Sequence, residues 1–195
     1  VATKRDTILE AAVGVIARRG VRGLRVEEIA ADAGVSLGLI YYHFRDRAGL
    51  LEATFAHVHE RAAAHNEAAR EAGRTSSQRL TLGLLAELDD TPASVEWFAA
   101  WNELRASAFF EASLREPVRT LTETWTENVA LRIALAITEG DAHPRVDPQR
   151  AAERLTTLVE GLGARWLSGS MTAANARLLL AESIEAELGA PPGLD

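Results

Sequence analysis

The chain has 195 residues, 47% of them apolar and 25% charged, with no cysteine and a formal net charge of −7. This is the composition of an ordinary globular protein with room for one large core or two modest ones, and it excludes disulfides, thiolate catalysis and thiolate metal sites. The apolar runs fall far short of the roughly 20 residues a membrane span needs, and no signal peptide is visible, so a cytoplasmic protein with no membrane partner is expected.

Taken in chain order, the first pattern with a chemical meaning is 26–44, two short helical patterns on either side of a glycine turn. Ile29 and Ala30 share a face with Ala33 one turn on, and Ala30 is small enough for a second helix to cross closely. Gly34 suits a left-handed helix end. Ser36 is placed to cap a second helix over 37–43, accepting a backbone N–H. Ile40 and Phe44, four apart, face inward, which leaves Leu37, Gly38, Tyr41 and Tyr42, with part of His43, outside. This spacing describes a helix-turn-helix with its reading face, and it also fits an ordinary helical hairpin.

Beyond residue 50 the periodicity is helical throughout, with clear punctuation. Helices are expected over about 48–71, ended by Gly73; 75–88, closed by Pro92; and 93–110. Ser113 and Glu116 read as a capping box for a helix to about 138, with Pro117 in its first turn. Asp147-Pro148 starts a helix to about 167, and a last one spans about 172–188, stopped by Gly189 and Pro191-Pro192.

Within these helices, Leu155, Leu158, Leu162 and Trp166, then Ala181, Ile184 and Leu188, form stripes, with Gly161 and Gly163 permitting close approach. Trp97, Phe98, Trp101, Phe109, Phe110 and Trp125 gather in the middle helices near Glu96, Glu103 and Glu111. They are core residues or the lining of a pocket; aromatic faces beside carboxylates suit a cationic or quaternary-ammonium ligand, and a flat aromatic or an acyl chain also fits. His57, His59 and His65 lack metal-ligand spacing, Gly161-x-Gly163 is not a phosphate loop, and no catalytic constellation is legible, so neither metal, cofactor nor enzymatic activity is expected.

The first fifty residues resemble the tetracycline-repressor (TetR) family of bacterial transcription regulators along their whole length. The matching text is the run 3–12, Arg19-Gly20, Ile29-Ala30, Gly34-Val35-Ser36, Gly38, Tyr41-Tyr42-His43-Phe44, Asp46-Arg47 and Leu50-Leu51. The run 44–54 is most similar to the choline-sensing repressor branch. There are two departures. Arg25 stands where the family has Ser or Thr and cannot accept the capping bond, and Arg47 stands for the usual Lys, keeping the charge.

The resemblance implies an all-α fold of about nine helices, with a three-helix DNA-binding head over 1–47 and an effector-binding and dimerisation body over 48–195. It implies a homodimer on a palindromic operator, formed through the two last helices, that is Leu155, Leu158, Leu162, Trp166, Ala181, Ile184 and Leu188. Ser36, Leu37, Gly38, Leu39, Tyr41, Tyr42 and His43 would meet the major groove and its phosphates, and Lys4, Arg5, Arg25 and Arg47 would hold the backbone. Trp97, Phe98, Trp101, Phe109, Phe110 and Trp125 would line the pocket of a small-molecule effector, whose entry releases DNA through the helix from residue 48. Charge agrees with this division: residues 1–50 carry eight basic against six acidic side chains, and 51–195 thirteen against twenty-two. An activator or ligand-independent DNA binder of the same fold, or a helical enzyme or binding protein with a vestigial head, fits the same text.

Overall fold

Thr3 accepts the backbone N–H of Asp6 through its hydroxyl, and the Asp6 carboxylate accepts the Thr3 N–H in return, a reciprocal capping box that starts α1 (Lys4–Gly23). The structure is a computed structural model and describes residues 3–189. After α1 come α2 (Val26–Ala33), α3 (Leu37–Phe44), α4 (Arg47–Arg70), α5 (Ser76–Ala86), α6 (Pro92–Ser107), a 3-10 turn (Ala112–Leu114), α7 (Arg115–Thr138), α8 (Pro148–Leu167) and α9 (Ala173–Leu188). The described residues are therefore all-α with nine α-helices, as expected.

Several helix ends have the predicted chemistry. Gly34 takes a left-handed conformation at φ 61° and ψ 42°, and Ser36 accepts the Leu39 N–H at 3.2 Å. Asp147 accepts from Gln149 and Arg150 ahead of Pro148. Arg25 gives α2 no side-chain cap.

The Ser113–Glu116 capping box is not formed. Ser113 lies inside the 3-10 turn and α7 starts at Arg115, because the tight turn lets Leu114 bury in the core, with Val118 and Leu121 packed against it. The helix expected to 110 stops at Ser107: residues 108–110 form a turn in which the Arg115 guanidinium donates to the Ala108 and Phe109 carbonyls, and Phe109 and Phe110 are left in solvent. Pro191 and Pro192, expected to stop the last helix, lie outside the described residues.

The described residues form two compact units. The first comprises residues up to 61 together with 96–121. It extends beyond the 47/48 boundary expected from the sequence because Leu50, Leu51 and Phe55 of α4 and Trp101 and Leu104 of α6 complete the core around Ile8, Val13, Ile16, Ile29, Ile40 and Phe44. The second comprises 62–95 with residues from 122. Leu80, Leu84, Val129, Ile133, Leu155, Val159, Leu180 and Ile184 are all buried in it.

Candidate nucleic-acid interface

The sequence places two short helices across a tight turn, and burial sorts their faces. Ile40 and Phe44 of α3 are buried, Leu37 and Leu39 are half-buried, and Gly38, Tyr41 and Tyr42 are exposed, Tyr42 at 81%. His43 is half-buried, its ring edge-on to Tyr42 with centroids 5.4 Å apart. The Ser36 hydroxyl caps α3, so its oxygen is already engaged by the helix it starts. The outer face of α3 is thus a short row of aromatic hydroxyl and exposed backbone, suited to base edges and phosphates.

The arginines around it are not equivalent. Arg18 pairs with Asp32 and Arg19 with Glu28, both at 2.7 Å. Lys4, Arg5 and Arg25 are exposed, and the Arg5 guanidinium lies 5.5 Å from the Phe44 ring centre. Arg47 is placed differently from the expectation: its guanidinium donates to the Val21 carbonyl at 2.6 Å and pairs with Glu111 at 3.2 Å. The sequence could not announce this, since Glu111 is 64 residues away.

The turn after α3 is tight. Arg45 has φ 65° and ψ −57°, and the Asp46 N–H reaches the Phe44 carbonyl at 2.7 Å. This is a γ-turn centred on positive φ, a strained form worth roughly 1–3 kcal/mol against the fold. Asp46 accepts the Gly49 N–H at 2.8 Å, and a β-carbon at Gly49 would lie 2.3 Å from the Phe44 carbonyl oxygen, so this turn requires glycine there.

The aromatic residues expected to share a pocket are dispersed. Trp101 stacks on Phe55 at 4.5 Å with His59 nearby, and burial holds the His59 imidazole below its usual range. Trp97 lies under the Arg61 guanidinium at 5.3 Å, and Phe98 is buried. Phe109 and Phe110 are 78% and 75% exposed, Phe110 beneath Arg22 at 4.7 Å. Trp125 belongs to the second unit, where its indole Nε1 is buried without a hydrogen-bond partner among the described residues. The carboxylates expected beside them serve the first unit instead. Glu103 accepts the Val21 N–H at 2.9 Å, Glu111 holds Arg47, and Glu96 lies 3.1 Å from where a β-carbon at Gly14 would be.

Of the residues expected at the dimer face, Leu155, Leu162, Ile184 and Leu188 are buried within the chain, and Leu158, Trp166 and Ala181 are half-buried. Leu178 and Leu179 of α9, which the sequence did not single out, are exposed. Leu178 lies one turn before Ala181, at the edge of the Ala181, Ile184 and Leu188 stripe, and Leu179 stands off it.

His57 pairs with Glu10 at 3.1 Å and His65 with Asp89 at 3.3 Å. Among the described residues no group of three or more His, Asp or Glu is placed to hold a metal, and no helix is long and apolar enough to cross a membrane.

Comparison with known proteins agrees with this architecture. Residues 8–54 match the bacterial regulatory proteins of the tetR family, and residues 76–189 match the BetI-type transcriptional repressor C-terminal family. The HTH-type transcriptional regulator BetI of Burkholderia ambifaria is 28% identical over 169 residues, covering 86% of this chain and 82% of that protein. A TetR-family transcriptional regulator from Rhodococcus sp. superposes with a TM-score of 0.91 at 45% identity, covering 95% of this chain and 98% of that one. A transcriptional regulator from Saccharomonospora viridis, solved in complex with choline, gives 0.79 at 26% identity over 93% and 95%. A helix-turn-helix with an exposed tyrosine face, in a chain whose relatives are transcription regulators and not enzymes, leads to one assignment: the chain belongs to the TetR family of bacterial regulatory proteins and carries its BetI-type C-terminal region.

Proposed function

We propose that this chain is a transcriptional repressor that binds a palindromic operator as a homodimer in the cytoplasm and leaves it when a choline-like quaternary ammonium effector binds. Residues 1–47 serve DNA binding, and 48–195 serve the effector and the dimer. The observation that carries this reading is the match of 76–189 to BetI-type repressors, and the likeness to a choline-bound regulator points to the same ligand class.

On DNA, α3 enters the major groove. Gly38 and Leu37 approach bases, Tyr41, Tyr42 and His43 meet phosphates or base edges, and Lys4, Arg5 and Arg25 hold the backbone. For the effector, Trp125 is the best supported of the aromatic residues. Its ring face suits a quaternary ammonium group, and its buried N–H suits an acceptor such as the choline hydroxyl oxygen. For the dimer, exposed Leu178 and Leu179 on α9, with Leu158 and exposed Gly161 on α8, offer the apolar outer face a twofold partner covers. The ligand acts by binding more tightly to the form of the dimer that fits successive grooves poorly.

The test is selection of duplexes from a random pool by the purified protein, followed by titration of the winner with and without choline. Enrichment of a palindrome whose affinity falls as choline is added is the expected result. A palindrome indifferent to choline overturns the effector class, and the absence of any enriched palindrome from a folded protein overturns the operator reading.

A further inference from the structure

Arg45 occupies a backbone conformation that glycine would hold with less strain. Its positive φ makes it the centre of the γ-turn closed by the 2.7 Å bond from the Asp46 N–H to the Phe44 carbonyl. The reversal is secured by other groups. Asp46 accepts the Gly49 N–H, and Gly49 lets the Phe44 carbonyl approach α4 closely. Nothing in this turn uses the arginine side chain. It is exposed, and no hydrogen bond or ion pair engages its guanidinium among the described residues.

Two residues on, Arg47 is in the opposite situation. The resemblance assigns it to phosphate, yet Glu111 neutralises its charge and the Val21 carbonyl takes one of its donors. To reach DNA it would have to leave both, exposing a carboxylate to the phosphates and leaving the Val21 carbonyl without that donor. The cation that remains available at the end of the reading helix is Arg45. Its own N–H is fixed to the Tyr41 carbonyl at 2.9 Å, so its Cα is held one residue beyond a helix whose outer face is Tyr41 and Tyr42.

We infer that Arg45 is a DNA-binding residue, gripping a backbone phosphate of the duplex beside the groove that α3 enters, in the part the family resemblance gave to Arg47. The inference rests on α3 being the reading helix. The strained turn sets the position of the arginine, and the fork of the guanidinium suits the phosphate oxygens.

The test compares Arg45→Gly, Arg45→Lys and Tyr42→Ala with the natural chain, by fluorescence anisotropy on the selected operator and on a random-sequence duplex of equal length. Titrations are repeated at several salt concentrations and melting temperatures are recorded. Arg45→Gly is expected to melt at or above the natural protein, because the strain is relieved. It should bind both duplexes roughly 5–30-fold more weakly, with the slope of log affinity against log salt shallower by about 0.9. Arg45→Lys should keep the natural salt slope. Unchanged affinity and slope in Arg45→Gly would make the arginine a turn residue only and overturn the inference. Loss confined to the operator with an unchanged slope would place Arg45 on base edges and overturn it too. Weakening of Arg45→Gly on both duplexes while Tyr42→Ala binds normally would keep the phosphate contact and dismiss the reading face instead.

Discussion

Glu103 on α6 accepts the backbone N–H of Val21 at 2.9 Å, across 82 residues of sequence. Gly20, at φ 70° and ψ 168°, breaks α1 at this point, and a β-carbon there would meet Glu103 Oε1 at 2.8 Å. The carbonyl of the same Val21 is held by Arg47. Both backbone groups beyond the break are thereby satisfied by side chains from α4 and α6, and Val21 is fully buried. Glu103→Ala leaves the Val21 N–H without this acceptor and should cost about 1–3 kcal/mol, whereas Glu103→Gln keeps an acceptor oxygen and should cost less. Urea denaturation midpoints measure both; equal stability of all three proteins would show that the bond contributes nothing.

Gly49→Ala drives a methyl group into the Phe44 carbonyl at the end of α3. The obstacle is backbone, so it yields only if the turn itself moves. The expected loss is about 1–3 kcal/mol, with weaker operator binding because the far end of α3 is displaced. Thermal melting and operator titration check the two parts separately, and a variant that melts and binds as the natural protein does would mean the turn has slack.

Glu87 gives a pH dependence whose sign follows from its surroundings. Burial pushes its carboxyl up to about 7, against the bond donated by Asn66 and the nearby Arg70 charge. The folded protein therefore holds this proton more tightly than the unfolded chain. The group's contribution is fully present below about pH 4.5 and is lost as pH rises to about 7. That loss is on the order of 3 kcal/mol. Glu87→Gln keeps an acceptor for Asn66 and never ionises, so it should be the more stable protein at pH 8 and nearly equal to the natural one at pH 4.5. Stability curves for the two proteins that run parallel across this window would refute the assignment.

Leu178→Arg places a charge on the exposed outer side of α9, where Leu178 is 56% accessible in the single chain. A twofold partner would have to bury that charge, so if the proposed dimer forms through this face, sedimentation should show dimers for the natural protein and monomers for the variant, with the chain still folded by circular dichroism. A dimer unaffected by this change would place the interface elsewhere.

The head was legible because its signals are local. The left-handed Gly34, the Ser36 cap, and the inward Ile40 and Phe44 each depend on neighbours within four residues, and the structure has all of them. The missing cap at Arg25 was legible for the same reason. The body helices were legible as helices, but not in what their faces touch. Leu155, Leu162, Ile184 and Leu188 carry the right period for a helix interface, and period alone does not say whether the partner helix belongs to the same chain.

Composition, periodicity and turn chemistry by themselves determined that this protein is helical, where its helices begin and end to within a few residues, and which short segment carries the helix-turn-helix pattern. Tertiary structure alone decided how the long-range polar groups are shared out. Glu103 bonds Val21 and Glu111 pairs with Arg47, and Arg45 is left exposed at the C-terminal end of α3. The physical reason is range: caps and helical faces are set within one or two turns of chain, whereas a buried backbone group takes whichever side chain the packing of distant helices brings within about 3 Å of it.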